Sequence, residues 1–110
     1  MAKQALSPSL SHEIVRRIRA TATPEKVILF GSYARGEEKT DSDLDIFIIM
    51  ESDLPRYKRA IPFYQALSGL GLAKDIVVYT PAEVAEWQTA SCSLVATVLR
   101  EGKVLYENQP

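Results

Sequence analysis

Two short runs of residues constrain this chain more than any other feature of its sequence. Residues 31–36 read Gly-Ser-Tyr-Ala-Arg-Gly, and residues 42–45, which begin ten positions after the Gly-Ser pair, read Ser-Asp-Leu-Asp. The first run follows the apolar residues 27–30, and the second opens the almost wholly apolar residues 44–50. Short apolar segments of this kind are typical of strands buried on both faces. The chain is therefore predicted to hold a small-residue turn and two carboxylates at the end of a buried sheet.

The rest of the chain alternates helical and extended patterns. The predicted helices cover residues 8–20, 55–69 and 81–101, the last with a break near Ser91 and Ser93, and the predicted strands cover residues 27–30, 44–50, 75–79 and 103–106. Pro62 should kink the second helix or delay its start. Tyr57 and Tyr64 in that helix are expected to pack in the core or at its rim, with stacking on a base as the alternative. Strands that alternate with helices predict an α/β fold (α+β by some schemes), a mixed sheet of about four strands flanked by helices.

The direction of the first strand follows from the places of its polar neighbours. Gly31 stands at the C-terminal end of that strand. Asp43, Asp45 and Asp75 stand at the N-terminal ends of the second and third strands, which are joined by a helix and should run parallel. All four residues can meet only if the first strand runs antiparallel to the other two. A mixed sheet is thus a consequence of the functional hypothesis.

The acidic residues have the chemistry of a metal site. Side chains alternate along a strand, so Asp43 and Asp45 should share one face, with Cα atoms about 6.5–7 Å apart. At that distance and an effective dielectric near 20, two carboxylates repel by about 2 kcal/mol, and a divalent cation would turn this repulsion into attraction. We predict Asp43, Asp45 and Asp75 as catalytic residues and Mg²⁺ ligands. Asp75 would accept the proton of an attacking hydroxyl or help to hold a second ion. Alternatively, Asp43 belongs to a turn, and Asp75 caps its strand or pairs with Lys74.

The glycine-containing run has the chemistry of a phosphate cradle. Gly31 allows close backbone approach, and Ser32 adds a hydroxyl ahead of a short helix whose amides would attract an anion. Arg35 could meet phosphate oxygens, and so could Ser42, although a serine in that place also suits a turn. These four are the predicted nucleotide-binding residues, and an ordinary strand-to-helix turn is the alternative.

Length, composition and charge limit the classes of function that this chain can have. With 110 residues, of which 46% are hydrophobic, the chain is expected to form one domain over residues 1–110. A formal net charge of −1 argues against nucleic acid as a direct substrate. The single cysteine permits no intrachain disulfide and fits a reducing compartment, and no apolar run is long enough to cross a bilayer. We therefore expect a cytoplasmic protein that does not act at a membrane.

Residues 29–49 resemble the nucleotidyltransferase superfamily that includes DNA polymerase beta and kanamycin nucleotidyltransferase. In its pattern, an apolar residue and Gly-Ser are followed after a short interval by an acidic-apolar-acidic triplet. Phe30-Gly31-Ser32 and Asp43-Leu44-Asp45 match that pattern. The longer strings, together with residues 75–81 and 100–107, are similar to the minimal nucleotidyltransferases. These are small bacterial and archaeal proteins that are often encoded beside an all-helical HEPN partner.

The resemblance implies a polymerase beta-like fold and Mg²⁺-dependent use of ATP or another nucleoside triphosphate. Asp43 and Asp45 would hold one or two Mg²⁺ ions, Asp75 would be the third carboxylate, and Gly31 and Ser32 would contact phosphates. In toxin–antitoxin pairs of this type, the nucleotidyltransferase is the antitoxin and can add AMP to a tyrosine of the HEPN ribonuclease. This chain keeps all three acidic positions, which favours an active enzyme. We expect no helical domain of the kind by which larger members hold their acceptor, so a partner subunit or a second copy of the chain would supply that surface.

Other functions compete with this one. A catalytically silent module of the same fold could neutralise its partner by binding alone, and the sequence leaves that alternative open. A phosphatase with an aspartate nucleophile is disfavoured, because Phe47 stands where its motif needs threonine. A P-loop NTPase is disfavoured because no lysine and hydroxyl residue follow a second glycine at the required spacing.

Overall fold

The computed structural model of this protein describes residues 7–31, 44–71, 73–90 and 93–108. Within these ranges the helices are α1 (Pro8–Thr21), α2 (Arg56–Arg59), α3 (Ile61–Ala66), α4 (Pro81–Trp87) and α5 (Leu94–Glu101). The strands are β1 (Lys26–Phe30), β2 (Leu44–Ile49), β3 (Lys74–Tyr79) and β4 (Lys103–Glu107). All four predicted strands are present, and none of their ends is displaced by more than one residue. No helix in the described ranges is long and apolar enough to cross a membrane.

The strands form one mixed sheet in the order β3-β2-β1-β4. β1 runs antiparallel to both of its neighbours, β2 and β4, whereas β2 and β3 run parallel. The predicted mixed sheet and the antiparallel direction of β1 are therefore confirmed. β1 and β2 lie inside the sheet and have apolar side chains on both faces, which explains their nearly unbroken apolar sequences.

Helices cover both faces of the sheet, and each face has its own core. The first core joins α1 and α3 to the strands, and its buried residues include Ile14, Ile18, Leu29, Ile46 and Phe63. The second core lies under α4 and α5, and its buried residues are Ile28, Phe47, Ile49, Val95 and Val98. The acidic residues described below belong to this second face.

The helix predicted over residues 55–69 is two short helices, so that single span was wrong. α2 ends at Arg59 and α3 begins at Ile61, with Ala60 as the cap between them. Pro62 lies in the first turn of α3, where its missing N–H is not needed. Pro62 thus marks the start of a second helix rather than a late start of the whole span, which already begins at Arg56. The predicted break near Ser93 is also present, because the Ser93 side chain caps α5 by accepting a hydrogen bond from the amide of Ala96.

Candidate active site

β2 presents one acidic side chain among apolar ones. Asp45 is half-buried, while every other residue of the strand is buried. Alternation along the strand puts Asp45 on the same face as Phe47 and Ile49, the face covered by α4 and α5. A carboxylate contributes little to packing there, and its place at the rim of the core is the one predicted for a site residue.

Asp45 and Asp75 stand side by side on neighbouring strands. Asp45 of β2 is in register with Asp75 of β3 and, on its other side, with Phe30 of β1. Register partners lie about 4.8 Å apart and point to the same face of the sheet. Asp75 is exposed because β3 is the outer strand. The prediction that these two carboxylates gather at one end of the sheet is confirmed.

Gly31 brings the end of β1 against the Asp45 side chain. Its φ of 76° lies in the left-handed region that favours glycine. A Cβ at Gly31 would overlap Oδ2 of Asp45 and lie 3.1 Å from its Cγ. Both the backbone angle and the close approach therefore require glycine, and the end of β1 defines where the Asp45 carboxylate can sit.

Aromatic rings form an apolar floor next to the carboxylates. The rings of Phe30 and Phe47 meet edge to face with centroids 6.4 Å apart, and Phe47 stacks on Tyr79 at 5.1 Å. The Arg56 guanidinium lies 4.7 Å from the centroid of the Tyr79 ring. This row crosses β1, β2 and β3 on the face that also bears Asp45. An apolar floor lowers the local dielectric and strengthens the attraction between carboxylates and a cation.

The donor chemistry of the site fits Mg²⁺. Carboxylate oxygens are the ligands that Mg²⁺ prefers, and Gly31, which has no side chain, lets the backbone approach a ligand of the Asp45 carboxylate closely. Asp45 and Asp75 are two of the three predicted ligands. Among the described residues, no group of three or more His, Cys, Asp or Glu side chains is placed to hold a metal ion. The third predicted ligand, Asp43, lies outside the described residues, so the metal-binding roles stay predictions.

Three predicted nucleotide-binding residues also lie outside the described residues. They are Ser32, Arg35 and Ser42. Of the predicted phosphate cradle, the structure describes Gly31 alone, and it meets Asp45 as expected. The roles of all four in nucleotide binding stay predictions.

Sequence reasoning missed an ion pair that supports β3 from the side. Arg59 donates hydrogen bonds of 2.7 and 3.2 Å to the Glu83 carboxylate, and others to the carbonyl oxygens of Leu54 and Val78. Only 9% of the Arg59 side chain is exposed. The hydrogen bonds from Arg59 hold the pKa of Glu83 below its ordinary value, and Glu83 also forms a capping box with Thr80 at the start of α4. Arg59 and Glu83 are 24 residues apart in sequence, so no local sequence pattern predicts their contact.

Most of the chain matches a known protein family. The family described as "Polymerase beta, Nucleotidyltransferase" matches residues 12–110. The chain therefore belongs to the polymerase beta-type nucleotidyltransferases.

Individual relatives show which members of this family the chain is similar to. Over 87 residues the chain is 32% identical to protein adenylyltransferase MntA of Thermococcus cleftensis, covering 78% of this chain and 79% of that protein. Over 98 residues it is 33% identical to the bifunctional uridylyltransferase/uridylyl-removing enzyme of Methylococcus capsulatus, covering 87% of this chain but only 11% of that enzyme. A crystal structure of a toxin–antitoxin with AMP-PNP is similar with a TM-score of 0.68 and 26% identity, covering 90% of this chain and 74% of that chain.

Proposed function

We propose that this chain is a Mg²⁺-dependent protein adenylyltransferase. It would move AMP from ATP to a tyrosine hydroxyl of a HEPN-type toxin and so act as its antitoxin. The observation that carries the proposal is the register pair Asp45–Asp75 beside Gly31. Two adjacent carboxylates and a glycine without room for a side chain are what a nucleotide and its cation need.

Each group at the proposed site has a role in the transfer of AMP. The oxygen of the acceptor tyrosine attacks the α-phosphorus of ATP, a new phosphorus–oxygen bond forms, and the bond to the bridging oxygen breaks to release pyrophosphate. Asp75 would accept the proton of the hydroxyl, because it is the exposed member of the pair and an acceptor can reach it. Gly31 and Ser32 would hold phosphate oxygens through backbone amides and a hydroxyl.

Asp43 and Asp45 would hold Mg²⁺, with Asp75 as a further ligand if a second ion binds. When bound, Mg²⁺ neutralises charge on the phosphates as the transfer proceeds. The close approach of Gly31 limits the positions that the Asp45 carboxylate can take. The half-buried setting of Asp45 and the aromatic floor next to it exclude water from one side of the site.

The names of two relatives support the choice of nucleotide and partner. One relative is a protein adenylyltransferase, and a similar solved structure is a toxin–antitoxin with AMP-PNP. A target such as a HEPN tyrosine, the Mg²⁺ ion and a cytoplasmic location are parts of the proposal that extend beyond those names. A catalytically silent binding module stays the alternative, and the experiment below separates the two.

The test uses the full chain and, as candidate acceptor, a small helical protein of the HEPN type that bears an Arg-x4-6-His motif. The mixture is incubated with Mg²⁺ and ATP labelled in either the α- or the γ-phosphate. The proposal expects label on the partner from the α-position only, and no label after chelation of Mg²⁺. Label from the γ-position would mean phosphoryl transfer and would reject the proposal.

Matched variants connect the transfer to the site. Asp45→Asn and Asp75→Asn should each lower transfer by at least about 100-fold, because each removes a charge that acts in the transition state. Asp53→Asn is the control, since this exposed aspartate follows the opposite end of β2. Neutralisation of the partner by a folded Asp45→Asn/Asp75→Asn protein would favour the silent module.

A further inference from the structure

A groove runs along the outer edge of β3, between this strand and helices α2 and α3. It has a volume of about 610 Å³. Residues 76–79 of β3 form one wall, and Arg56, Tyr57 and Tyr64 line the other. We call it the edge groove. Tyr57 is 77% exposed and Tyr64 38% exposed, so the expectation that Tyr57 packs in the core or at its rim was wrong, whereas Tyr64 lies at a rim.

One cation, Arg56, lines the edge groove, and Lys58 lies on the same helix outside the lining. Arg59 is paired with Glu83, whereas among the described residues neither Arg56 nor Lys58 forms an ion pair. Both lie on α2 and are exposed, in a chain whose formal net charge is −1. Arg56 holds its place by lying over the Tyr79 ring and donating a hydrogen bond of 3.3 Å to the Tyr79 hydroxyl. The groove is thus suited to an acidic segment with aromatic or apolar side chains.

Two main-chain groups of β3 on this edge already form hydrogen bonds with side chains of α2 and α3. The Tyr64 hydroxyl accepts a hydrogen bond of 2.9 Å from the amide of Ile76. Arg59 donates one of 3.3 Å to the carbonyl oxygen of Val78. An incoming chain would therefore bind by its side chains rather than by adding a strand to the sheet.

The edge groove ends one residue short of Asp75 along β3. Its strand wall, residues 76–79, continues directly into Asp75, and the whole stretch from Asp75 to Tyr79 is about 13 Å long. The two ends differ in charge, because Arg56 lies at the Tyr79 end and the Asp75 carboxylate at the other. A segment with its acidic residues near Arg56 would bring a neutral residue, such as tyrosine, to Asp75.

We infer that the edge groove binds an acidic segment of the acceptor protein and presents a tyrosine of that segment to Asp75. The inference rests on the proposed function for the role of Asp75, but the binding itself does not require catalysis. It assigns Arg56, Lys58 and Tyr57 to acceptor recognition rather than to chemistry.

Binding is measured first, without ATP, by fluorescence anisotropy with the full chain. The probe is a labelled synthetic peptide of glutamate and glycine with one tyrosine. Its lysine counterpart and an oligouridine RNA are the comparison probes. We expect salt-dependent binding of the glutamate peptide, weakened about tenfold or more in Arg56→Glu/Lys58→Glu, and no comparable binding of the other two probes. The change Tyr57→Ala should also weaken it.

Arg16→Glu/Arg19→Glu is the matched control. It makes the same charge change on α1, where the two arginines lie beside Tyr106 of the opposite edge strand β4. Circular dichroism melts confirm that all variants fold. Unchanged peptide binding in Arg56→Glu/Lys58→Glu, or an equal loss in the α1 variant, would overturn the inference. Preferential RNA binding, or a dimer in sedimentation that only the α2 variant dissociates, would assign the groove to another occupant and also overturn it.

Transfer kinetics separate this inference from the proposed function. The kinetics use a protein acceptor that receives labelled AMP from the wild-type chain. For this acceptor, Arg56→Glu/Lys58→Glu should raise KM about tenfold or more and change kcat little. An equal fall in kcat with KM unchanged would contradict a docking role. If the wild type binds the glutamate peptide but transfers no AMP to any acceptor, the proposed function fails while the groove assignment stands.

Discussion

The contact between Gly31 and Asp45 can be broken by one methyl group. Alanine at position 31 would need the left-handed backbone at φ 76° and would place its Cβ against the Asp45 carboxylate. Because the strand backbones are fixed by their ladders, the side chain of Asp45 is the part that must move. Gly71→Ala is a matched control, since Gly71 has a φ of 73° and no atom within 4 Å of its Cβ position.

The two substitutions should differ in stability by the cost of moving Asp45. A left-handed conformation costs a non-glycine residue about 1–2 kcal/mol, and a stiffer unfolded chain returns about 0.4–1 kcal/mol. Each variant should therefore lose about 1 kcal/mol from backbone strain. Gly31→Ala should lose about 0.5–1.5 kcal/mol more, the cost of an off-rotamer Asp45. Urea unfolding of the two variants in parallel measures the difference.

The two substitutions should differ far more in activity. A displacement of about 1 Å at a reacting centre can cost about 100-fold in rate, so Gly31→Ala should lose transfer of labelled AMP by that factor or more. Gly71→Ala should stay within about twofold of the wild type, since it lies outside the site. Full activity of folded Gly31→Ala would refute the reasoning, and so would an equal loss in both variants.

Three further predictions concern the carboxylates and the ion pair behind β3. Mg²⁺ at 100 times its Kd should raise the unfolding free energy of the wild type by about 2.7 kcal/mol. Scanning fluorimetry should show this as a higher melting temperature, and Asp45→Asn/Asp75→Asn should abolish the increase. An increase that persists in the double variant would contradict the metal site. Arg59→Met should cost about 2–4 kcal/mol in urea unfolding, because it leaves Glu83 without its partner in a largely buried place; a cost below about 0.5 kcal/mol would contradict that reasoning. Because folding lowers the pKa of Glu83 from 4.5, its contribution is complete above pH 4.5 and lost as pH falls through the folded pKa. Glu83→Gln should therefore flatten the loss of stability below pH 4.5, and an unchanged slope would argue against the pairing.

Strand positions could be derived from the sequence because they follow from short-range rules, and the direction of β1 could be derived from the functional hypothesis. Mainly apolar runs of four to seven residues, each with glycine or aspartate at one end, predicted the strands. The requirement that Gly31 and the three aspartates meet then fixed the direction of β1. The break in the second helix was harder, because Phe63 and Leu67 continue the apolar spacing that a single helix would show. Only Pro62 signalled it.

The residues of the candidate site could be predicted from the sequence, but the close contacts between them could not. The spacing predicted that Gly31 and Asp45 would be neighbours, but the overlap between a Cβ and the carboxylate depends on strand register, which no local pattern gives. The Arg59–Glu83 pair and the edge groove also depend on how α2 packs against β3. Contacts of this kind join residues far apart in the chain, and single-sequence periodicity does not encode them.

The side chains that are hydrogen-bonded to the outer edge of β3 affect how readily other copies of this protein can pair with that strand. An outer strand with open main-chain groups is a template on which strands of other molecules can pair and aggregate. Here the Tyr64 hydroxyl and the Arg59 guanidinium already bond the Ile76 amide and the Val78 carbonyl. A strand arriving from another molecule would have to break those two bonds before it could form its own. These two bonds make strand pairing along the β3 edge more costly, while Asp75 stays exposed on the same strand, within reach of a large molecule.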